Sequence, residues 1–191
     1  MHLVLSPDPV LRQMCEPVDE SEIRKLRSTA KNMAKLMYQN NGCGIAAPQV
    51  GISKRLMVID CTILDPEDEQ EEDEPVQNPT FFINPEVIAY GGEEIVDEEG
   101  CLSIPGITIP IRRFTEVTVA ALDLKGESFV LVAQDFHARA IQHELDHLEG
   151  KTMFERLDTI SRIEAFKEYE NALKAGAKPG DTHVDQPPLY G

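Results

Sequence analysis

The sequence predicts an α+β domain in which short, mostly antiparallel β-strands pack around a central helix, with an N-terminal and a C-terminal helix beside them. Three observations lead there. Helical apolar spacing recurs in three segments far apart in the chain, short β-branched and aromatic runs lie between them, and the two kinds of segment do not alternate as βαβ units would. A chain of 191 residues suits one domain, and 41% apolar residues suffice for a buried core.

The first helix opens at Asp19, with Glu22 three residues on, the pattern of a capping box. Ile23, Leu26, Ala30, Met33 and Met37 follow at spacings of three and four, and Asn40-Asn41-Gly42 ends the run. The methionines on this stripe read as core packing rather than as a soft-metal surface. Leu56–Ile59 reads as a short buried strand. Residues 81–83 and 87–90 read as two more, parted by Asn84-Pro85, with a turn at Gly91-Gly92. Residues 117–121 and 128–132 flank Asp123-Leu124-Lys125-Gly126, a hairpin. A helix over 135–149 stops at Gly150. The last helix spans Thr159–Lys174, capped by Asp158, with Ile160, Ile163, Phe166 and Leu173 as its apolar stripe. From Gly176 the chain is rich in Pro, Gly and Asp. The expected organisation is therefore a folded unit over 1–175, interrupted by an acidic loop at about 63–78, and a loose tail over 176–191.

Charge and cysteine usage exclude several function classes. With 18 Lys and Arg against 34 Asp and Glu, the net charge of -16 argues against a broad nucleic-acid surface. Eight of the ten residues 65–74 are acidic, which reads as a solvated, self-repelling loop. The four cysteines, Cys15, Cys43, Cys61 and Cys101, form no CxxC pair. The opening MHLVLSPDPV lacks the basic and apolar regions of a signal peptide, and no apolar run is long enough to span a bilayer. The expected location is the cytoplasm, where a cysteine serves as a free thiol or a metal ligand.

The strongest chemical signal is His143-Glu144-Leu145-Asp146-His147. Histidines four apart lie one helical turn apart and can share one metal ion. At roughly 100° per residue, Ala138, Ile141, Leu145 and Leu148 share one sector. His143 and His147 fall opposite it, and Arg139, Gln142, Asp146 and Glu149 fill a third, polar sector. Histidines facing a buried space need partners, and a metal is the simplest. Glu144, beside the ligand line, is placed to take a proton from a water that the metal acidifies. A third protein ligand is required. His183 lies in the tail, Glu164 would have to reach across from the next helix, and a cysteine is the alternative.

Two further segments bear on that choice. Glu98-Glu99-Gly100-Cys101-Leu102-Ser103 sets a cysteine beside a glycine in an extended stretch. Gly42-Cys43-Gly44-Ile45-Ala46-Ala47-Pro48-Gln49-Val50-Gly51 is a loop of small residues that lets a ligand approach the backbone, without the GK[ST] of a phosphate loop. Taken together, the three segments resemble the peptide deformylase family, whose motifs GxGxAAxQ, EGCLS and QHExDH are complete here and in order. The resemblance covers roughly residues 1–170. Ile45 stands where leucine is more usual, and the acidic insertion and the tail lie outside the motifs.

The resemblance implies hydrolysis of the N-formyl group from the N-terminal methionine of newly made proteins, with release of formate. It implies Cys101, His143 and His147 as ligands of one divalent metal, iron(II) in the cell, with zinc, nickel or cobalt in purified protein. Glu144 is implied as the general base and acid. The Gln49 side-chain amide and the Leu102 backbone N–H are implied as donors to the developing oxyanion. The substrate is expected to pair as an added strand against Gly44, Ile45 and Ala46 and near Gly100. Ile45, Ala140 and Ile141 are candidates for the methionine pocket or, equally, for plain core packing, Cys43 for the pocket wall or the core, and Asp146 with Arg113 for a supporting ion pair. The expected partners are formyl-methionyl nascent chains and the ribosome near the exit tunnel, to which the net charge lends no support. Two other readings are an HExxH endopeptidase, and a non-enzymatic protein whose structural zinc takes a fourth ligand, such as Cys43.

Overall fold

The computed structural model describes residues 1–62 and 77–183, so the acidic run at 65–74 lies outside the described residues. In chain order the elements are α1 (Glu20–Gln39), β1 (Gly44–Ala46), β2 (Leu56–Ile59), β3 (Thr80–Cys101), β4 (Ile104–Leu122), β5 (Ser128–Gln134), α2 (Asp135–Leu148) and α3 (Thr159–Lys174). The five strands form one antiparallel sheet in the order β1-β2-β3-β4-β5. This is the α+β architecture that the pattern predicts.

The helices form where their local signals place them. Glu22 reaches back to the Asp19 N–H at 3.0 Å, closing the expected capping box of α1. Ile23, Ala30, Met33 and Met37 are buried against β2 and the segment around β1, so the methionines pack the core. Asp158 accepts from the N–H groups of Ile160 and Ser161 at 2.8 and 3.1 Å and starts α3. Gly150, with φ of 69°, follows the end of α2.

The strands differ from expectation. Residues 81–83 and 87–90 belong to one strand, β3, in which Asn84-Pro85 forms an irregularity and Asn84 takes a left-handed φ of 50°. The expected turn at Gly91-Gly92 is a further irregularity within β3, where Gly92 has φ of 69°. The strand runs on through the acidic residues 93–99 because β4 pairs with it along that length. β4 itself starts at Ile104, well ahead of the expected 117. The hairpin at 123–126 stands as predicted, between β4 and β5.

α2 occupies the middle and packs on β1, β2, β4 and β5. Its apolar sector, Ala138, Ile141, Leu145 and Leu148, is buried as expected, but Arg139, Gln142 and Asp146 are buried too. The α3 stripe needs correcting. Ile160 and Ile163 are 70% and 52% exposed, whereas Phe166 and Leu173 pack against the core as expected, beside the fully buried Tyr169 and Ala172. The tail from Gly176 is tied down over its described part. Ala177 N–H donates to the Ala172 carbonyl at 3.0 Å, and Gly106 N–H donates to the Asp181 carbonyl at 2.7 Å.

Candidate metal centre

The three motifs meet at one point. Cys101 ends β3, where the pairing of Cys101 with Ile104 leaves Leu102-Ser103 as a two-residue turn. His143 and His147 present their rings one turn apart on α2, with centroids 5.1 Å apart. One ligand atom from each of Cys101, His143 and His147 lies within 4.8 Å of the others, and Cys101 Sγ is 3.3 Å from His147 Nε2. All three residues are buried.

The donor set fits a divalent ion of intermediate softness. Burial pushes the Cys101 thiol up, but the charge of His147 and the hydrogen bonds from both histidines outweigh it and bring the thiol down to about 5. That favours the thiolate, the form that ligates metals. Nδ1 of His143 meets Glu99 Oε2 at 2.9 Å, which leaves Nε2 for an ion. Cys43, the possible fourth ligand of a closed site, is not part of this cluster.

Glu144 lies beside the ligands, 4% exposed, and its Oε2 has no hydrogen-bond partner. Burial raises its carboxyl to about 7 against the opposing pull of the two histidines. The glycine loop exists to let this side chain in: a Cβ on Gly44 would stand 2.5 Å from Glu144 Oε1. Gly42 likewise admits Leu102, whose Cδ1 would be 2.9 Å from a Cβ there. Sequence reasoning assigned these small residues to an approaching ligand; their immediate neighbours are the protein's own second and third motifs. Gln49 is buried, its Oε1 accepting from the Ala46 N–H at 2.7 Å and its Nε2 lying 3.7 Å from Cys101 Sγ.

A cavity of about 350 Å³ opens onto the centre, walled by Gly44, Gly100, Leu102, Ala140 and Glu144 among others. Cys43 is a wall residue, as expected. Ile45 and Ile141 are not: both are fully buried in the core, so the packing reading holds for their side chains. Ala46 is also fully buried, which leaves backbone as what β1 has to offer. Glu164 is exposed on α3 and stands outside the cluster. A larger concavity of about 760 Å³, along Arg55, Arg112, Asp146 and Glu149, contains none of the three ligands.

Sequence reasoning assigned Glu99 no role. It joins the centre to two buried arginines: Arg113 donates to it through Nε and Nη2 at 2.9 and 3.0 Å, and Arg139 through Nη1 at 2.8 Å. Burial alone would raise its carboxyl, but the bonds from His143 and Arg113 hold it far below the ordinary carboxylate range. The expected pair of Arg113 with Asp146 is present at 2.6 Å, and Arg156 also binds Asp146.

The polypeptide deformylase family model matches residues 1–163. This chain belongs to that family. A peptide deformylase of Clostridium perfringens is 44% identical over 78% of this chain and 92% of its own length. One from Acidobacterium capsulatum is 40% identical over 91% and 96%. Among solved structures, a peptide deformylase from Synechococcus elongatus in complex with actinonin superposes with a TM-score of 0.76. It is 37% identical, and the match covers 96% of this chain and 92% of that one. A Met-Ala-Ser-bound peptide deformylase from Acinetobacter baumannii gives 0.72 at 35% identity, covering 82% and 98%. The chain is accordingly a deformylase, a hydrolase that removes the N-formyl group from nascent polypeptides. This excludes the endopeptidase and non-enzymatic readings.

Proposed function

We propose that Cys101, His143 and His147 hold one divalent ion, and that Glu144 handles the protons of formamide hydrolysis. The observation that carries this is the buried, unpartnered Glu144 Oε2 beside the three ligands. The ion, when bound, supplies Lewis acidity, easing deprotonation of water and polarising the formyl carbonyl. A carboxyl held near neutrality suits both halves of the proton transfer. Glu144 takes a proton as water adds to the formyl carbon, then returns it to the departing amine as the C–N bond breaks, leaving formate and a free N-terminus. Negative charge on the former carbonyl oxygen is stabilised by the Gln49 amide and the Leu102 N–H.

The peptide pairs with backbone at Gly44, Ile45 and Ala46 on one side and near Gly100 on the other. β1 is the terminal strand of the sheet, so its second edge is the side for strand addition, apart from the Ala46 N–H that Gln49 Oε1 holds. Iron(II) is the proposed cellular metal, with zinc, nickel or cobalt able to occupy the same ligands. Four free cysteines support a reducing, cytoplasmic location, and no described helix is long and apolar enough to cross a membrane. Work on nascent chains implies the ribosome exit region as a partner, and exposed Ile160 and Ile163 on α3 are the surface to probe. Unchanged co-sedimentation of an Ile160→Glu, Ile163→Glu variant would remove that contact. The proposed catalytic domain spans residues 1–175, with the tail from 176 packed against it over its described part.

The test is Glu144→Ala. Metal content should stay at one ion per chain while formate release falls by about 10²–10⁴-fold. Near-full activity would overturn the role of Glu144.

A further inference from the structure

Beyond α3 the chain turns back toward the metal centre. The Gly106 N–H holds the Asp181 carbonyl at 2.7 Å. Gly180, with φ of 95°, crosses so close to the Asn40 carbonyl that a Cβ would collide with it. Thr182 stands over Gly100, where a Cβ would lie 3.3 Å from its Cγ2. The tail thus sits between the segment entering β1 and the end of β3, and Gly180, Asp181 and Thr182 become wall residues of the 350 Å³ cavity. That same cavity contains the unpartnered, buried Glu144 Oε2, an independent sign that a ligand belongs there.

The wall has a sign. Glu98 and Asp181 both line the cavity and both are solvent-exposed. Arg139, the arginine of this lining, is buried and committed to Glu99 and to the Ile111 carbonyl. Lys178 gives Asp181 its backbone N–H at 2.8 Å, a bond that leaves the carboxylate charge in place.

We propose that residues 180–182 form one wall of the substrate cleft and that Asp181, with Glu98, selects peptides carrying a basic rather than an acidic residue after the formyl-methionine. This rests on the cavity being the cleft of the deformylase reaction. Exposed charges at a rim act mainly on encounter and are screened, so the discrimination is modest and salt-dependent.

The experiment compares kcat/KM for formyl-Met-Ala-Lys, formyl-Met-Ala-Ser and formyl-Met-Ala-Glu in the full-length metal-loaded enzyme. The wild type should favour Lys over Glu by about three- to fivefold, the scale of an exposed ion pair. Asp181→Asn, whose side chain can still accept from Lys178, should shrink that ratio, and Asp181→Lys should invert it. Glu98→Gln, which leaves the tail untouched, should shrink it too. Formate release from all three peptides with a ratio unmoved by Asp181→Lys would overturn the proposal. No formate from any peptide with the wild type would overturn the reading of the cleft itself.

Discussion

Replacing Glu99 with glutamine keeps the shape of the side chain and removes the charge that joins two arginines to a ligand histidine. Glu99, Arg113 and Arg139 are each 5% exposed or less, so none of these charges is solvated. Removing one partner of a buried ion pair costs about 3–5 kcal/mol because the other charge is left uncompensated. Here the loss falls at the low end. Arg113 keeps Asp146 at 2.6 Å, and Arg139 keeps the Ile111 and Ile95 carbonyls at 2.9 and 3.2 Å. The expectation is therefore a loss of about 3 kcal/mol in urea unfolding of the metal-free protein at neutral pH. Metal affinity, read by chelator competition, should also fall by about 10–100-fold, since His143 loses the carboxylate that orients it. The pH dependence has a definite sign. A carboxyl whose folded pKa is depressed stabilises fully above its unfolded value, near 4.3, and loses that contribution as pH falls below it. The stability gap between wild type and variant should thus hold at neutral pH and close on acidification. A gap under about 1 kcal/mol at pH 7, with unchanged metal affinity, would mean that Glu99 neither holds the two arginines nor orients His143.

Gly44→Ala should leave the protein folded but cut formate release by about 10²-fold, the scale of an ångström-level displacement, because the new Cβ would stand 2.5 Å from Glu144 Oε1. Unchanged kcat/KM would mean that Glu144 is not held by this contact. The pH profile of kcat/KM should rise on an acid limb at or below about 7, where Glu144 deprotonates, since a bound cation can only lower the value that burial sets. Activity that is still climbing above about pH 8 would assign the limb to another group.

The parts of this molecule governed by local chemistry were legible in the sequence. Asp19, Glu22 and Asp158 mark helix starts through bonds to backbone only two or three residues away. The three motifs together pointed to one centre although Cys101 is 46 residues from His147. What escaped depends on pairing at a distance. Residues 93–97 gave no strand signal because Glu93, Glu94 and Asp97 interrupt any apolar alternation, and the opposing strand β4 makes them a strand. Within β4 the alternation was present: Ile107, Ile109, Ile111 and Arg113 point inward while Thr108, Pro110 and Arg112 are exposed. Pro105 and Pro110 disguised it. In α3 the stripe Ile160, Ile163, Phe166 and Leu173 holds for its last two members, yet the fully buried residues are Tyr169 and Ala172, and Tyr169 donates its hydroxyl to the Ser6 carbonyl at 2.9 Å. Glu99 was missed because its partners arrive from β4 and α2, and nothing in the local sequence marks an acid as buried.

The most direct measurement is formate release from formyl-Met-Ala-Ser by protein loaded anaerobically with ferrous iron, with a Cys101→Ala variant and an internally cleavable peptide alongside. The expected result is stoichiometric formate and free Met-Ala-Ser, dependent on metal, with no cleavage of internal bonds and no activity once Cys101 is removed. Folded, metal-loaded wild-type protein that releases no formate would contradict the account.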